Sequence, residues 1–164
     1  MNAVMDMHEP TTIEFPRFGS FTFSETEVFE FPWGLPGFAH LHRFLALSLP
    51  DQQNFIWLQS LDDVTFALPT ADPWSIFPDY DPKMPAYATS ALELQKPEDF
   101  TILGVVVVGK NAEEMTMNLL APVVMNLKTH RGRQIMLENS NYPVRQPIPR
   151  KADLDDSPAA AVAP

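Results

Sequence analysis

The chain has 164 residues, 45% of them hydrophobic and 11% aromatic, which is the length of one ordinary domain with a core of its own. It has no cysteine, so disulfides, thiolate nucleophiles, Cys-ligated zinc and iron–sulfur clusters are excluded. Its 11 Lys and Arg against 21 Asp and Glu give a net charge of −10, which disfavours bulk binding to a phosphate backbone and suits either a basic protein partner or simply solubility.

The first expected element is a hairpin, with residues 12–15 and 20–23 as strands around Arg17, Phe18 and Gly19. Alternation in Phe21-Thr22-Phe23 and Phe29-Glu30-Phe31 puts the aromatics of each triplet on one face. Residues 43–49 form the next strand. Residues 55–59 and 64–68 follow, separated by the turn-prone pair Asp62-Asp63. Residues 100–108 (FTILGVVVV) are a continuous apolar run, expected as a strand covered on both faces. Residues 115–119, 123–127 and 134–137 complete the set, the last two joined by the turn Thr129-His130-Arg131-Gly132. Seventeen prolines, all but Pro122 outside residues 101–141, cut the chain into short pieces. Helix is therefore limited to a turn or two near residues 37–42 and 86–94. The expected fold is mainly β, a single-domain, compact barrel-like arrangement of short strands with one or two short helices. The domain spans residues 11–148. Residues 1–10 and the Pro-, Ala- and Asp-rich residues 149–164 read as flexible tails.

Chemistry is sparse. His40 and His42 form an H-x-H pair that would share one face on a strand, but no third ligand has familiar metal spacing. Adjacent carboxylates on a strand point to opposite faces and do not easily share one substrate; a turn could bring them together, but the acidic pairs here read as solvated turns. No G-x-S-x-G is present, and six glycines form no phosphate-cradling pattern. Lys128, Arg131, Arg133 and Arg145 cluster around a turn, without interleaved aromatics for base stacking. The expectation is a protein that is not an enzyme, needs no cofactor or metal, and binds neither nucleic acid nor membrane. No apolar run reaches the ~20 residues of a membrane span, and no signal peptide is readable, so a cytoplasmic location is expected.

Two dense aromatic segments remain. Residues 31–38 (FPWGLPGF) combine three aromatics with turn-forming Gly34, Pro36 and Gly37. Residues 73–80 (PWSIFPDY) carry Trp74, Phe77 and Tyr80 among Asp72, Asp79 and Asp81. An aromatic loop rimmed by acids suits a hydrophobic partner surface with a basic rim. The competing expectation is that both segments plug the ends of the barrel.

From residue 12 to residue 145 the sequence resembles the FliW family of bacterial flagellar assembly factors. The matching stretches are residues 31–38 (FPWGLPGF), 55–60 (FIWLQS, with Trp57), 66–68 before Asp72-Pro73, and 77–80 (FPDY). Then come residues 115–126 (MTMNLLAPVVMN, with Asn118, Pro122 and Asn126), 132–137 (GRQIML) and 142–145 (YPVR). The segment between Tyr80 and Phe100 is shorter than usual for the family.

The resemblance implies a non-enzymatic β-barrel-like domain with two partners. One is flagellin, through its C-terminal helical segment. The other is CsrA, a small basic dimer that binds leader RNA and represses translation. Family members bind CsrA and relieve its repression of flagellin translation, and free cytoplasmic flagellin reverses this. Phe77, Asp79 and Tyr80, supported by Glu98 and Asp99, are the expected partner-binding residues. Gly34, Pro36 and Gly37 shape a turn, and Asn118 and Asn126 are expected to satisfy backbone at a bulge or turn. Two other readings stand beside this one: a general flagellin chaperone that ignores CsrA, and a small-ligand-binding or hydrolytic barrel.

Overall fold

A computed structural model describes residues 9–111 and 114–149. The rest of the two expected tails, residues 1–8 and 150–164, lies outside the described residues. Ten strands are present among the described residues. They are β1 (Thr11–Phe15), β2 (Gly19–Phe23), β3 (Phe29–Glu30), β4 (Arg43–Leu49) and β5 (Gln52–Ser60), followed by β6 (Ala67–Ala71), β7 (Phe100–Val107), β8 (Thr116–Asn126), β9 (Arg131–Gln134) and β10 (Gln146–Pro147). Among the described residues α1 (Ala86–Ala91) is the α-helix, and short 3₁₀ turns lie at Glu25–Glu27, Pro73–Ser75 and Pro97–Asp99. No helix among the described residues is long and apolar enough to cross a membrane.

The main sheet runs β10-β8-β7-β6-β5-β4-β3-β9, and β9 pairs back onto β8. This last pairing closes a seven-strand ring and removes its open edges. Every pairing is antiparallel except β3–β9, where Glu30 lies opposite Arg131. The ring closes there through one short contact, and the Glu30 amide donates to the His130 carbonyl at 2.7 Å.

Three apolar clusters follow from strand alternation. The barrel interior is filled by Phe31, Phe44, Leu58, Leu103, Val123 and Met125. The outer face of β4 and β5 is covered by the β1–β2 hairpin, with Phe15 and Phe23 packed on Leu45 and Leu47. Trp57 fastens that hairpin: Phe18 meets its ring edge-on at 5.3 Å, and the Arg17 guanidinium lies 5.3 Å from its centroid. The outer face of β7 and β8 is covered by the chain between β6 and β7, through Tyr80, Ala88, Leu92 and Leu94. Both faces of β7 are therefore covered over most of its length, but Val107 and Val108 emerge from it 45% and 55% exposed.

Several expectations need correction. Residues 115–119 and 123–127 are one strand, not two. Asn118 pairs with Val105 and Val123 with Leu103, so β8 spends three more residues than β7 over this stretch. An odd surplus reverses which side chains face inward. Met117 and Leu119 accordingly join the outer cluster, while Val123 and Met125 join the interior. Pro122 sits within this bulge, where a missing N–H does least damage. The Asn118 Oδ1 accepts from the Leu120 and Ala121 amides, at 3.0 and 2.9 Å.

The next turn lies earlier than expected. Asn126 Oδ1 accepts from the Lys128 and Thr129 amides, and His130 takes the positive φ of 58°. The strand then starts at Arg131, before Gly132 rather than after it. Gly132 is demanded by packing: a Cβ there would lie 2.6 Å from the Phe31 ring.

The strand expected at residues 64–68 begins only at Ala67, because Asp63 Oδ1 accepts from the Thr65 amide and prolongs the turn. The second expected helix, near residues 37–42, is absent; the chain there makes a tight turn. Leu35 and Phe38 exchange backbone hydrogen bonds across Pro36-Gly37, with Gly37 at φ 81°. Proline followed by a residue of positive φ is the pattern of a type II turn. α1 occupies part of the other expected helix.

Candidate partner-binding surfaces

The chain between β6 and α1 folds onto the sheet through its own hydrogen bonds. Asp72 accepts from the Trp74 amide at 3.0 Å and starts the turn Pro73–Ser75. The Trp74 indole donates to the Tyr80 carbonyl at 2.7 Å, tying the segment into a loop. Tyr80 then drives its ring inward, against Trp74 at 5.7 Å and Tyr142 at 4.8 Å between centroids. Its hydroxyl donates to the Leu119 carbonyl, in the β8 bulge, at 2.7 Å. Burial raises the Tyr80 phenol above its ordinary range, with a smaller contribution from Tyr142, so it stays a neutral donor.

This geometry divides the expected partner-binding residues. Asp79 and Glu98 are exposed, together with Asp72 and Asp81. Phe77 is half-buried against the outer cluster. Tyr80 and Asp99 are 5% and 8% exposed and do not form the outer surface. Tyr80 is a hydrogen-bonded peg. Asp99 is held by Lys128 at 3.5 Å, and its carbonyl accepts from the Leu127 amide. Between this loop and the start of β7 lies a cleft of about 600 Å³, lined by Trp74, Tyr80, Phe100 and Ile102 and bordered by Asp72 and Asp81.

A second concavity escapes sequence reading. A mostly apolar groove of about 480 Å³ is lined by Phe55, Ala71, Ile76, Val106, Met115 and Ile148. These residues come from separate stretches of chain, and only strand pairing brings them together. The Ile148 amide donates to the Met115 carbonyl at 3.0 Å, which seats the C-terminal strand at its rim.

The basic cluster around β9 is likewise divided. Lys128 serves Asp99, whereas Arg131 and Arg133 lie near the exposed Trp33 ring, at 6.0 and 4.4 Å. His40 and His42 are not on a strand, and a His42 ring nitrogen bonds the Ala39 carbonyl at 2.7 Å. Among the described residues no three His, Cys, Asp or Glu side chains are grouped to hold a metal ion.

The FliW protein family model matches residues 12–148. The flagellar assembly factor FliW of Clostridium tetani is 33% identical over 130 residues, covering 79% of this chain and 90% of that protein. That of Carboxydothermus hydrogenoformans is 37% identical over 134 residues, covering 82% and 86%. A crystal structure of the flagellar assembly factor FliW superposes with a TM-score of 0.78 at 28% identity, covering 84% of this chain and 96% of that one. With a closed barrel of the same architecture and a match across nearly all described residues, the chain belongs to the FliW family.

Proposed function

We propose that this protein is a cytoplasmic flagellar assembly factor that acts by binding two proteins, flagellin and CsrA, and not by catalysis. The observation that carries this reading is the pairing of two unlike surfaces on one scaffold. The exposed carboxylates Asp72, Asp79, Asp81 and Glu98 surround the loop between β6 and α1 and its neighbouring turn. The apolar groove lined by Phe55, Ile76, Val106 and Met115 lies beside the other end of that loop.

The carboxylate surface suits CsrA as the family resemblance describes it, a basic RNA-binding dimer. Negative charge attracts such a partner and repels its RNA, so CsrA can be engaged without direct contact with RNA. Association should slow as salt rises, because the screening length shrinks to roughly 8 Å at physiological ionic strength. The groove suits the apolar stripe of an amphipathic helix, the form in which the C-terminal segment of flagellin would be offered before polymerisation. Ile76 belongs to both the loop and the groove wall, so occupancy of one surface can disturb the other. That contiguity supports a switch in which flagellin displaces CsrA.

Calorimetry tests the assignment. Flagellin lacking its C-terminal helical segment should lose binding, and Ile76→Asp should weaken the intact flagellin at least tenfold while CsrA affinity changes less. Unchanged affinity for the truncated flagellin would refute the groove. Flagellin binding with no CsrA binding would leave a chaperone alone.

A further inference from the structure

We propose that the outer face of β9 is a third interaction surface, which takes an acidic peptide segment of a protein partner on Arg131 and Arg133, between the walls formed by Trp33 and Tyr87. Neither the family match nor the two surfaces described above requires it.

Strand alternation puts Arg131 and Arg133 on the same side of β9, outside the barrel, with Gly132 turned inward over Phe31. The Arg133 guanidinium is held between two rings, 4.4 Å from the Trp33 centroid and 5.2 Å from that of Tyr87. Arg131 lies 6.0 Å from the same tryptophan. Trp33 and Tyr87 are 44% and 40% exposed, large apolar surface that the fold itself does not use. A guanidinium stacked by its faces directs its N–H edge outward, and that edge matches a carboxylate through two parallel hydrogen bonds.

Partners for that edge are missing among the described residues. Neither arginine forms an ion pair, whereas Arg43, Lys83 and Lys128 each do. Glu30 lies opposite Arg131 in the β3–β9 pair and makes no ion pair with it. The Arg131 Nε is buried and unbonded. In a chain with nearly twice as many acids as bases, two arginines without an acid are available for an external one.

The walls are fixed. Gly34, next to Trp33, has φ 65° and packs so tightly that a Cβ there would lie 2.6 Å from the Ala39 backbone. Tyr87 is set by α1, whose C-terminal carbonyl at Leu92 accepts from Asn126 Nδ2 at 2.8 Å. A preorganised aromatic clamp loses little side-chain entropy on binding. An acidic peptide fits better than RNA. Two arginines supply few of the many phosphate contacts on which RNA affinity rests. Aspartate or glutamate flanked by apolar residues satisfies both the guanidinium edges and the exposed rings.

The three tryptophans provide the test. The Trp57 and Trp74 indole N–H groups are bonded internally, to Gln52 and to the Tyr80 carbonyl. They serve as fixed references for Trp33. The ¹⁵N-labelled full chain is titrated with a peptide of Glu-Glu-Leu repeats, its Gln-Gln-Leu counterpart, and an oligouridylate of equal charge. The Glu peptide should shift the Trp33 indole and the Arg131 and Arg133 Nε–H signals saturably, leaving Trp57 and Trp74 in place. The Gln peptide should do nothing. Arg133→Gln should weaken binding about tenfold, as expected for losing a charge-assisted pair. Arg133→Lys should recover only part of it. Arg131→Gln provides a second variant, and unmoved Trp57 and Trp74 signals certify each fold. No Trp33 shift, an equal shift with the Gln peptide, or tighter binding of the oligouridylate would overturn the proposal.

Discussion

The two proline-rich aromatic segments of this chain look alike in sequence, and each leaves its tryptophan outside, but they bury an aromatic at opposite ends, Phe31 at the start of one and Tyr80 at the end of the other. Residues 31–38 send Phe31 and Leu35 into the barrel and leave Trp33 and Phe38 outside, 44% and 41% exposed. Residues 73–80 bury the tyrosine at their end and leave the carboxylate of Asp79 in solvent. The difference lies in what each backbone is tied to. The first segment is pinned at a turn, where Gly34 passes close to Ala39 and Leu35 bonds Phe38. The second is pinned by a side chain, the Tyr80 hydroxyl reaching the Leu119 carbonyl. A turn fixes where an aromatic begins; a buried polar tip fixes where it ends.

Breaking each pin separates the two cases. Gly34→Ala should have the largest effect, a loss of about 3 kcal/mol, since it adds a left-handed non-glycine residue to a clash with backbone. Chemical denaturation measures it, and a loss below about 1 kcal/mol would mean the turn relaxes freely. Tyr80→Phe should cost about 1–2 kcal/mol, because it leaves the Leu119 carbonyl without this donor while keeping the ring. Trp33→Ala should cost less, about 0.5–1 kcal/mol, the worth of an exposed cation–π contact. If Trp33 proved the costlier of these two, the assignment of peg and display would be reversed. Smallest of all in stability, Asp79→Lys and Glu98→Lys should each stay within about 0.5 kcal/mol, as exposed sites do. Stopped-flow mixing with CsrA should nonetheless show slower association for the double variant, and an unchanged rate would remove the carboxylate surface from the account.

Much of the barrel is legible in the sequence because local chemistry dictates it. The first hairpin follows from its alternation, and the turn after β5 follows from Asp62-Asp63. What escapes is whatever depends on distant partners. Asp62 illustrates this: its carboxylate reaches back to the His42 and Arg43 amides, at 2.6 and 2.9 Å, a link that no local window contains. The continuity of β8 through Pro122 is hidden because proline normally ends a central strand, and only Asn118 and the surplus residues opposite β7 make it tolerable. The true start of β9 is hidden because glycine is the expected turn residue, whereas His130 adopts the positive φ and stacks on Phe29 at 4.3 Å. Among the expected binding residues, Asp79 and Glu98 are read from charge alone and are exposed. Tyr80 and Asp99 share that composition, but both are buried, and the groups they meet, the Leu119 carbonyl and Lys128, lie far along the chain.

In the proposed function one acidic barrel binds CsrA and yields it to flagellin. A gel shift with labelled flagellin leader RNA tests this most directly, with CsrA, this protein and flagellin added in turn. The protein alone should leave the RNA unshifted, it should release RNA from CsrA, and flagellin with its C-terminal helical segment should restore the CsrA–RNA band. A direct shift by the protein alone, or an unaltered CsrA–RNA band at saturating protein, would contradict it.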